Sequence, residues 1–288
     1  QQLAEGAGAA YVYARADSGR WVQEGMLLPP DIAAQMQFGA SVAIDGDVAV
    51  VGAPGTQLPN SFFNTGAAFV FKLQGSQWSY FTRLVADDGP YSNEFGSSVA
   101  IEGGYIVVGA TGGRGGPRGD VRDAGSAHVF TLDETGAQEL TKLYDNLGSA
   151  SSRFGNALAL DDGHLAIGAE ADNFGAGAVL LYKLLEPEDE APSWRLDRKV
   201  TPPLNGHTPQ FGASVDIEGI QLVIGAPEAI LDGVRSGKAY LYERHSSGTW
   251  LSLGEVVPAE PSVDGRFGVA VSRMGPRVLV SEQPMPPN

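Results

Sequence analysis

One phrase returns five times along this chain: Phe-Gly, a short apolar run, an acidic or glycine turn, then a second apolar run that mostly closes near Gly-Ala. Its copies begin at Phe38, Phe95, Phe154, Phe211 and Phe267, spaced by 57, 59, 57 and 56 residues. A near-constant period that fills a chain means one supersecondary unit repeated and stacked on its neighbours. Residues 1–288 are therefore expected to form a single repeat domain, with residues 1–37 completing the last unit.

Each unit reads as four short strands. The first follows Phe-Gly (Ser41–Ile44, Ser98–Ile101, Ala157–Leu160, Ser214–Ile217, Val269–Ser272), and an acidic or glycine turn such as Asp45-Gly46-Asp47 leads to the second. Asp-Gly between apolar runs signals a tight hairpin, because the turn needs positive φ and glycine supplies it. The second strands (Val48–Val51, Tyr105–Val108, Leu165–Ile167, Leu222–Ile224, Val278–Val280) are almost unbroken apolar runs, the mark of strands covered on both faces. A third strand opens on glycine and a small residue, as in Gly66-Ala-Ala-Phe-Val-Phe71. The fourth mixes in polar residues, as an outer edge strand should, and carries Trp21, Trp78, Trp194 or Trp250 in all copies but one.

Four-stranded antiparallel units repeated around an axis make a β-propeller. The N-terminus supplies only a third and a fourth strand, and the C-terminus only a first and a second. Joining them predicts an all-β, five-bladed β-propeller whose last blade is closed by both ends of the chain. Closure of that kind removes two exposed sheet edges.

The stretches Phe38-Gly-Ala-Ser-Val-Ala-Ile-Asp-Gly-Asp-Val-Ala-Val-Val-Gly-Ala-Pro54 and Phe95-Gly-Ser-Ser-Val-Ala…Val-Val-Gly-Ala110 resemble the FG-GAP repeat. That family includes the propeller head of integrin α subunits and many bacterial and algal surface proteins. The resemblance implies a propeller that binds or adheres outside the cell. Integrin heads have seven blades, and several of their repeats hold calcium in a longer, Asp-rich hairpin. The turns here are too short to offer the six to eight oxygens that calcium takes, so the chain resembles the calcium-free variant and no metal or cofactor is expected.

A net charge of −15 lacks the basic stripe that phosphate contacts demand, so nucleic acid is excluded as a partner. No apolar run approaches the roughly 18 residues of a membrane span. There is no cysteine, which removes disulfides and thiol chemistry. Gln1-Gln2 suits a mature terminus left by signal cleavage as well as it suits an arbitrary boundary.

Catalytic constellations are scarce. The four histidines show no metal-ligand spacing, and His128 takes a place held elsewhere by Tyr11, Phe69, Leu180 and Tyr240. Asp216 is the one acid inside a first strand, which keeps a funnel-carboxylate glycoside hydrolase as an alternative, although a second such acid is missing. A non-enzymatic module is the expectation, with a protein or glycan partner at the cell surface or in the extracellular matrix. A structural subunit of an extracellular filament or envelope is a further alternative.

By strand direction two loop sets share one face: 55–65, 111–124, 170–176 and 228–236, and 29–37, 86–94, 146–153, 201–210 and 258–266. They vary in length and chemistry, as binding loops on a rigid base do. Candidate binding residues are the exposed aromatics Phe62, Phe63 and Tyr91, and the integrin-ligand-like tripeptide Arg118-Gly119-Asp120.

Overall fold

A computed structural model describes residues 4–58, 64–86, 93–115, 121–146, 148–188, 190–203 and 208–283. The chain divides into two compact units, Gln1–Gly113 with Ala127–Leu143, and Arg114–Ser126 with Tyr144–Asn288. In the first, β1 (Ala10–Arg15) pairs with β2 (Trp21–Leu27). Next come two four-stranded antiparallel sheets, β3 (Ser41–Asp45), β4 (Val48–Ala53), β5 (Ala67–Gln74) and β6 (Gln77–Leu84), then β7 (Phe95–Glu102), β8 (Tyr105–Ala110), β9 (Ser126–Leu132) and β10 (Ala137–Leu143).

The second unit repeats the pattern with β11 (Leu158–Asp161), β12 (His164–Ala169), β13 (Ala178–Leu185) and β14 (Ser193–Val200). Its next sheet interrupts β15 (Ser214–Glu218) and β16 (Gln221–Ala226) with a small hairpin, β17 (Ile230–Leu231) and β18 (Val234–Arg235), before β19 (Lys238–Arg244) and β20 (Trp250–Val256). A final pair is β21 (Val271–Met274) with β22 (Arg277–Val280). The repeated four-stranded antiparallel sheets fit a β-propeller-like arrangement.

The Phe-Gly step is the pivot of the repeat. The residue before each phenylalanine (Gln37, Glu94, Arg153, Gln210, Arg266) and the glycine after it all have positive φ. Each phenylalanine is thereby held between two left-handed residues. Its backbone forms a parallel bridge to the glycine that opens the preceding third strand: Gly8–Phe38, Gly66–Phe95, Gly125–Phe154, Gly177–Phe211 and Gly237–Phe267. Phe211 packs its ring edge-on against Tyr240 of its own sheet at 5.2 Å, and Phe38 does the same on Phe69 at 5.5 Å. His128 fills the aromatic place as its position in the repeat implies, buried 5.3 Å from Phe95 with Nδ1 2.9 Å from Glu139 Oε1.

The outer strands carry a feature the sequence did not announce. In every unit the pairing of the third with the fourth strand skips one residue of the fourth: Glu24, Phe81, Leu140, Asp197 and Leu253. A bulge re-aims the extra side chain. In two of the five copies the re-aimed side chain meets the next tryptophan: Trp78 Nε1 donates to Glu24 (2.9 Å) and Trp250 Nε1 to Asp197 (3.2 Å).

Successive sheets within each unit are fastened by one recurring set of contacts. A first-strand hydroxyl or amide donates to the carbonyl of the next Phe-Gly glycine: Ser41 to Gly96 (2.8 Å), Asn156 to Gly212 (2.9 Å) and Ser214 to Gly268 (2.9 Å). The acid that ends the first strand accepts the N–H of the next hairpin glycine: Asp45 from Gly103 (2.9 Å), Asp161 from Gly219 (2.5 Å) and Glu218 from Gly275 (2.6 Å). The second-strand glycines Gly52, Gly168 and Gly225 leave no room for a Cβ, which would lie closer than 3.0 Å to the carbonyl of Gly96, Gly212 or Gly268.

β1–β2 and β21–β22 are each two-stranded sheets. The fifth repeat has Ala270, Met274 and Ser281 at the places of Ser41, Asp45 and Gly52. Backbone pairing fixes this alignment, because Gly268 N–H donates to Ser281 O as Gly39 N–H does to Gly52 O.

One packing position is poorly matched to its residue. His164 is buried with neither ring nitrogen hydrogen-bonded, edge-on to Trp250, where the other units have Val48, Tyr105, Gln221 and Arg277. A buried polar group without a partner costs about 1–3 kcal/mol. His164→Val is expected to raise stability by about 1 kcal/mol, read as a higher urea midpoint at unchanged m.

Candidate functional site

The six residues singled out from the sequence, Phe62, Phe63, Tyr91, Arg118, Gly119 and Asp120, lie outside the described residues. The loop sets to which they belong are described in part, and within the second unit side chains stitch one set to the other. Arg235, on β18, meets Glu228 (3.3 Å) and Asp264 (2.5 Å), and Arg266 reaches Glu228 at 3.5 Å. Arg153 meets Glu170 at 3.4 Å.

The most buried of these links is an ionic triad. Lys199, next to last in β14, sends its Nζ to Asp145 Oδ2 (2.5 Å) and Asp172 Oδ2 (2.7 Å). Ser149 N–H and Oγ both donate to Asp172 Oδ1 at 3.2 Å, and Ser149 Oγ accepts Asn173 N–H at 3.1 Å. Burial pushes the Asp172 carboxyl up, but the Lys199 ammonium and the Ser149 donors outweigh it and hold the group below the usual carboxylate range. Burial likewise pulls Lys199 down, and the two carboxylates outweigh it and raise the ammonium above its ordinary value. Both groups are therefore ionised at neutral pH.

This triad anchors the turn Asp172–Gly175, in which Asn173 and Phe174 are both left-handed (φ 48° and 60°). Left-handed backbone at two successive non-glycine residues costs on the order of 1–2 kcal/mol each, and it persists only where surroundings impose it. The result is to project Phe174 outward, 91% exposed. Sequence reading by period passed over this residue. A signal was present, since Phe174-Gly175 is a Phe-Gly pair out of phase with the other five.

Asp216, the first-strand acid, is used for construction. Its Oδ1 accepts Ile217 N–H (3.0 Å) and its Oδ2 accepts Arg273 N–H (2.6 Å), tying β15 to β21. Among the described residues no helix is long and apolar enough to cross a membrane.

Fold and site together define a class: repeated four-stranded β-units whose glycine–phenylalanine steps build a rigid base for variable loops. The FG-GAP repeat family model matches residues 21–71, 78–130 and 194–242, more than half of the chain. The protein belongs to the FG-GAP repeat family. Among curated proteins no relative matches.

Proposed function

We propose that this protein is a non-catalytic extracellular or cell-surface module that binds a protein or glycan partner through the loops at one end of its sheets. The observation that carries the reading is Phe174, a nearly fully exposed aromatic on strained backbone fastened from beneath by Lys199, Asp145 and Asp172. A rigid, pre-positioned aromatic loses little entropy when it is buried by a partner, and such residues are typical anchors of interfaces. FG-GAP repeats are typically involved in binding or adhesion, which agrees with this role. The net charge of −15 favours partners that carry cationic groups beside the apolar contact.

The test is binding of the labelled chain to a glycan array and to intact cells, comparing wild type with Phe174→Ala. A loss of about tenfold or more in affinity is expected, with an unchanged melting temperature, since the ring contributes nothing to the core. Equal binding by the variant would move the site elsewhere, and release of reducing sugar from the arrayed glycans would favour the hydrolase reading instead.

A further inference from the structure

On the third four-stranded sheet, in the second unit, one row across the strands consists of basic residues throughout. His164 on β12 stands opposite Lys183 on β13, and Lys183 stands opposite Arg195 on β14. Residues paired in this way point to the same face with Cβ atoms about 4.5–5.5 Å apart, and like charges so placed repel. Arg198 shares that face, because it pairs with Leu181, two residues from Lys183. The face is turned toward the fourth sheet. The His164 ring lies edge-on to Trp250 of β20, and Asp197 of the β14 bulge accepts from Arg244 of β19 and from Trp250. Burial raises the Tyr242 phenol of β19 and the Arg198 guanidinium opposes it, which puts Arg198 on the same seam.

Lys183, Arg195 and Arg198 have no side-chain hydrogen bond or ion pair among the described residues. Their basic neighbours do: Lys199 meets Asp145 and Asp172, Lys238 meets Glu255, and Arg244 already holds Asp197. The same row in other sheets is different in kind. The first sheet has Val48, Lys72 and Ser79, with Lys72 Nζ donating to Asp133 O (2.7 Å). The fourth has Gln221, Glu243 and Leu251, with Gln221 bonded to Glu243. A single charge on an outer strand is enough to guard its edge against pairing. Yet β14 carries three basic residues, whereas β6 and β10 carry one each and β2 and β20 none. Arg195 and Arg198 are exposed and Lys183 is half-buried, so all three can be reached from solvent.

We propose that Lys183, Arg195 and Arg198 form a binding site for the sulfate esters of an anionic polysaccharide, along the outer seam between the third and fourth sheets. An oxyanion set between Lys183 and Arg195 turns their repulsion into attraction, and each guanidinium offers it a fork of donors. The cations stand in a line on an open strand rather than around a cup, which suits a chain of repeated charges better than a small free anion. A sulfate ester carries a single charge, so Asp197 repels it less than a phosphate ester at about −1.5 to −2. Nucleic acid is disfavoured, because a chain of net charge −15 offers it only this short row. The site is distinct from Phe174. β12 begins at His164 and ends at Ala169, and the Phe174 turn follows that far end.

The test is titration of the full chain, isotopically labelled, with dextran sulfate at about 50 mM salt. Neutral dextran, carboxymethyl dextran and a single-stranded DNA oligonucleotide serve as comparisons. Saturable NMR shifts at Lys183, Arg195 and Arg198 are expected with dextran sulfate, fading as salt is raised about tenfold. The variant Lys183→Thr/Arg195→Gln takes the residue types of Thr131 and Gln138, which hold the same places in the second sheet. It is expected to weaken binding about tenfold or more without lowering the melting temperature. Arg198→Gln, at an exposed position, gives an independent readout and is expected to weaken binding about threefold or more. Arg83→Gln, which removes an exposed arginine from β6, and Phe174→Ala are expected to bind within about twofold of wild type. The proposal is overturned if dextran sulfate produces no saturable shifts, or if Arg198→Gln binds like wild type. It is also overturned if Arg83→Gln loses as much affinity as the double variant, which means diffuse attraction to any cation. Equal affinity for carboxymethyl dextran or for DNA would remove the assignment to sulfate esters.

Discussion

Gly177→Ala is expected to cost about 4 kcal/mol or more of the 5–15 kcal/mol typical of a folded domain. Two costs combine at this position. Gly177 has φ +83°, which an alanine adopts only with strain of about 1–2 kcal/mol. Its Cβ would also lie closer than 3.0 Å to the nitrogen, carbon and oxygen of Phe211, so main chain has to move rather than a flexible side chain. Moving it breaks the bridge at Gly177 and the Phe211 N–H bond to Ala176 O, and draws the fully buried Phe211 ring off Tyr240. Gly219→Ala is the control: φ is +56° and no atom lies within 4 Å of the built Cβ, so only the backbone cost of about 1 kcal/mol applies. Guanidinium titrations of both variants separate the terms. If Gly177→Ala cost no more than Gly219→Ala, close approach would not explain the glycine that opens each third strand.

The same comparison shows why the scaffold was readable from sequence and the site was not. Strand order, the buried second strands and the role of the Phe-Gly pair follow from residue types that recur in phase, and recurrence makes each copy a check on the others. The bulge at Glu24, Phe81, Leu140, Asp197 and Leu253 was invisible because the five residues share no chemistry that would mark the position, being acids in two copies and apolar in three. Lys199, Asp145 and Asp172 belong to three different segments and are joined only by folding. Phe174 lies in a loop where the period carries no information, and its left-handed backbone is imposed by that triad rather than by local propensity. The joining of the two chain ends in a fifth blade is an expectation from strand count alone. The junction contacts that set Ala270, Met274 and Ser281 apart could be recognised only after Ser41, Asp45 and Gly52 had been seen at work.

Lys199→Met tests whether the loop surface depends on its buried charges. The substitution keeps the length of the aliphatic stem but leaves Asp145 and Asp172, whose side chains are 5% and 7% exposed, facing each other without a cation. Breaking a buried ion pair by removing one partner costs about 3–5 kcal/mol, and the partial exposure of Lys199 reduces this to about 2–4 kcal/mol. The pH dependence fixes the cause. Asp172 is depressed below 3.8 in the folded protein, so its contribution is complete above that value and is lost as pH falls through the folded pKa. Lys199 is raised above 10.5, so its contribution is complete below that value and is lost as pH rises through the folded pKa. The stability difference between wild type and Lys199→Met is therefore expected to be flat from about pH 7 to pH 9 and to narrow progressively as pH falls through the acid range, where protonation relieves the buried carboxylates left without a cation. Adding Asp172→Asn to Lys199→Met is expected to recover about 1–2 kcal/mol at pH 7, because one buried charge is removed while Ser149 retains an acceptor. Urea titrations across that pH range provide the measurement. A difference independent of pH, with no recovery in the double variant, would assign the loss to packing of the lysine stem and leave Phe174 without its electrostatic foundation.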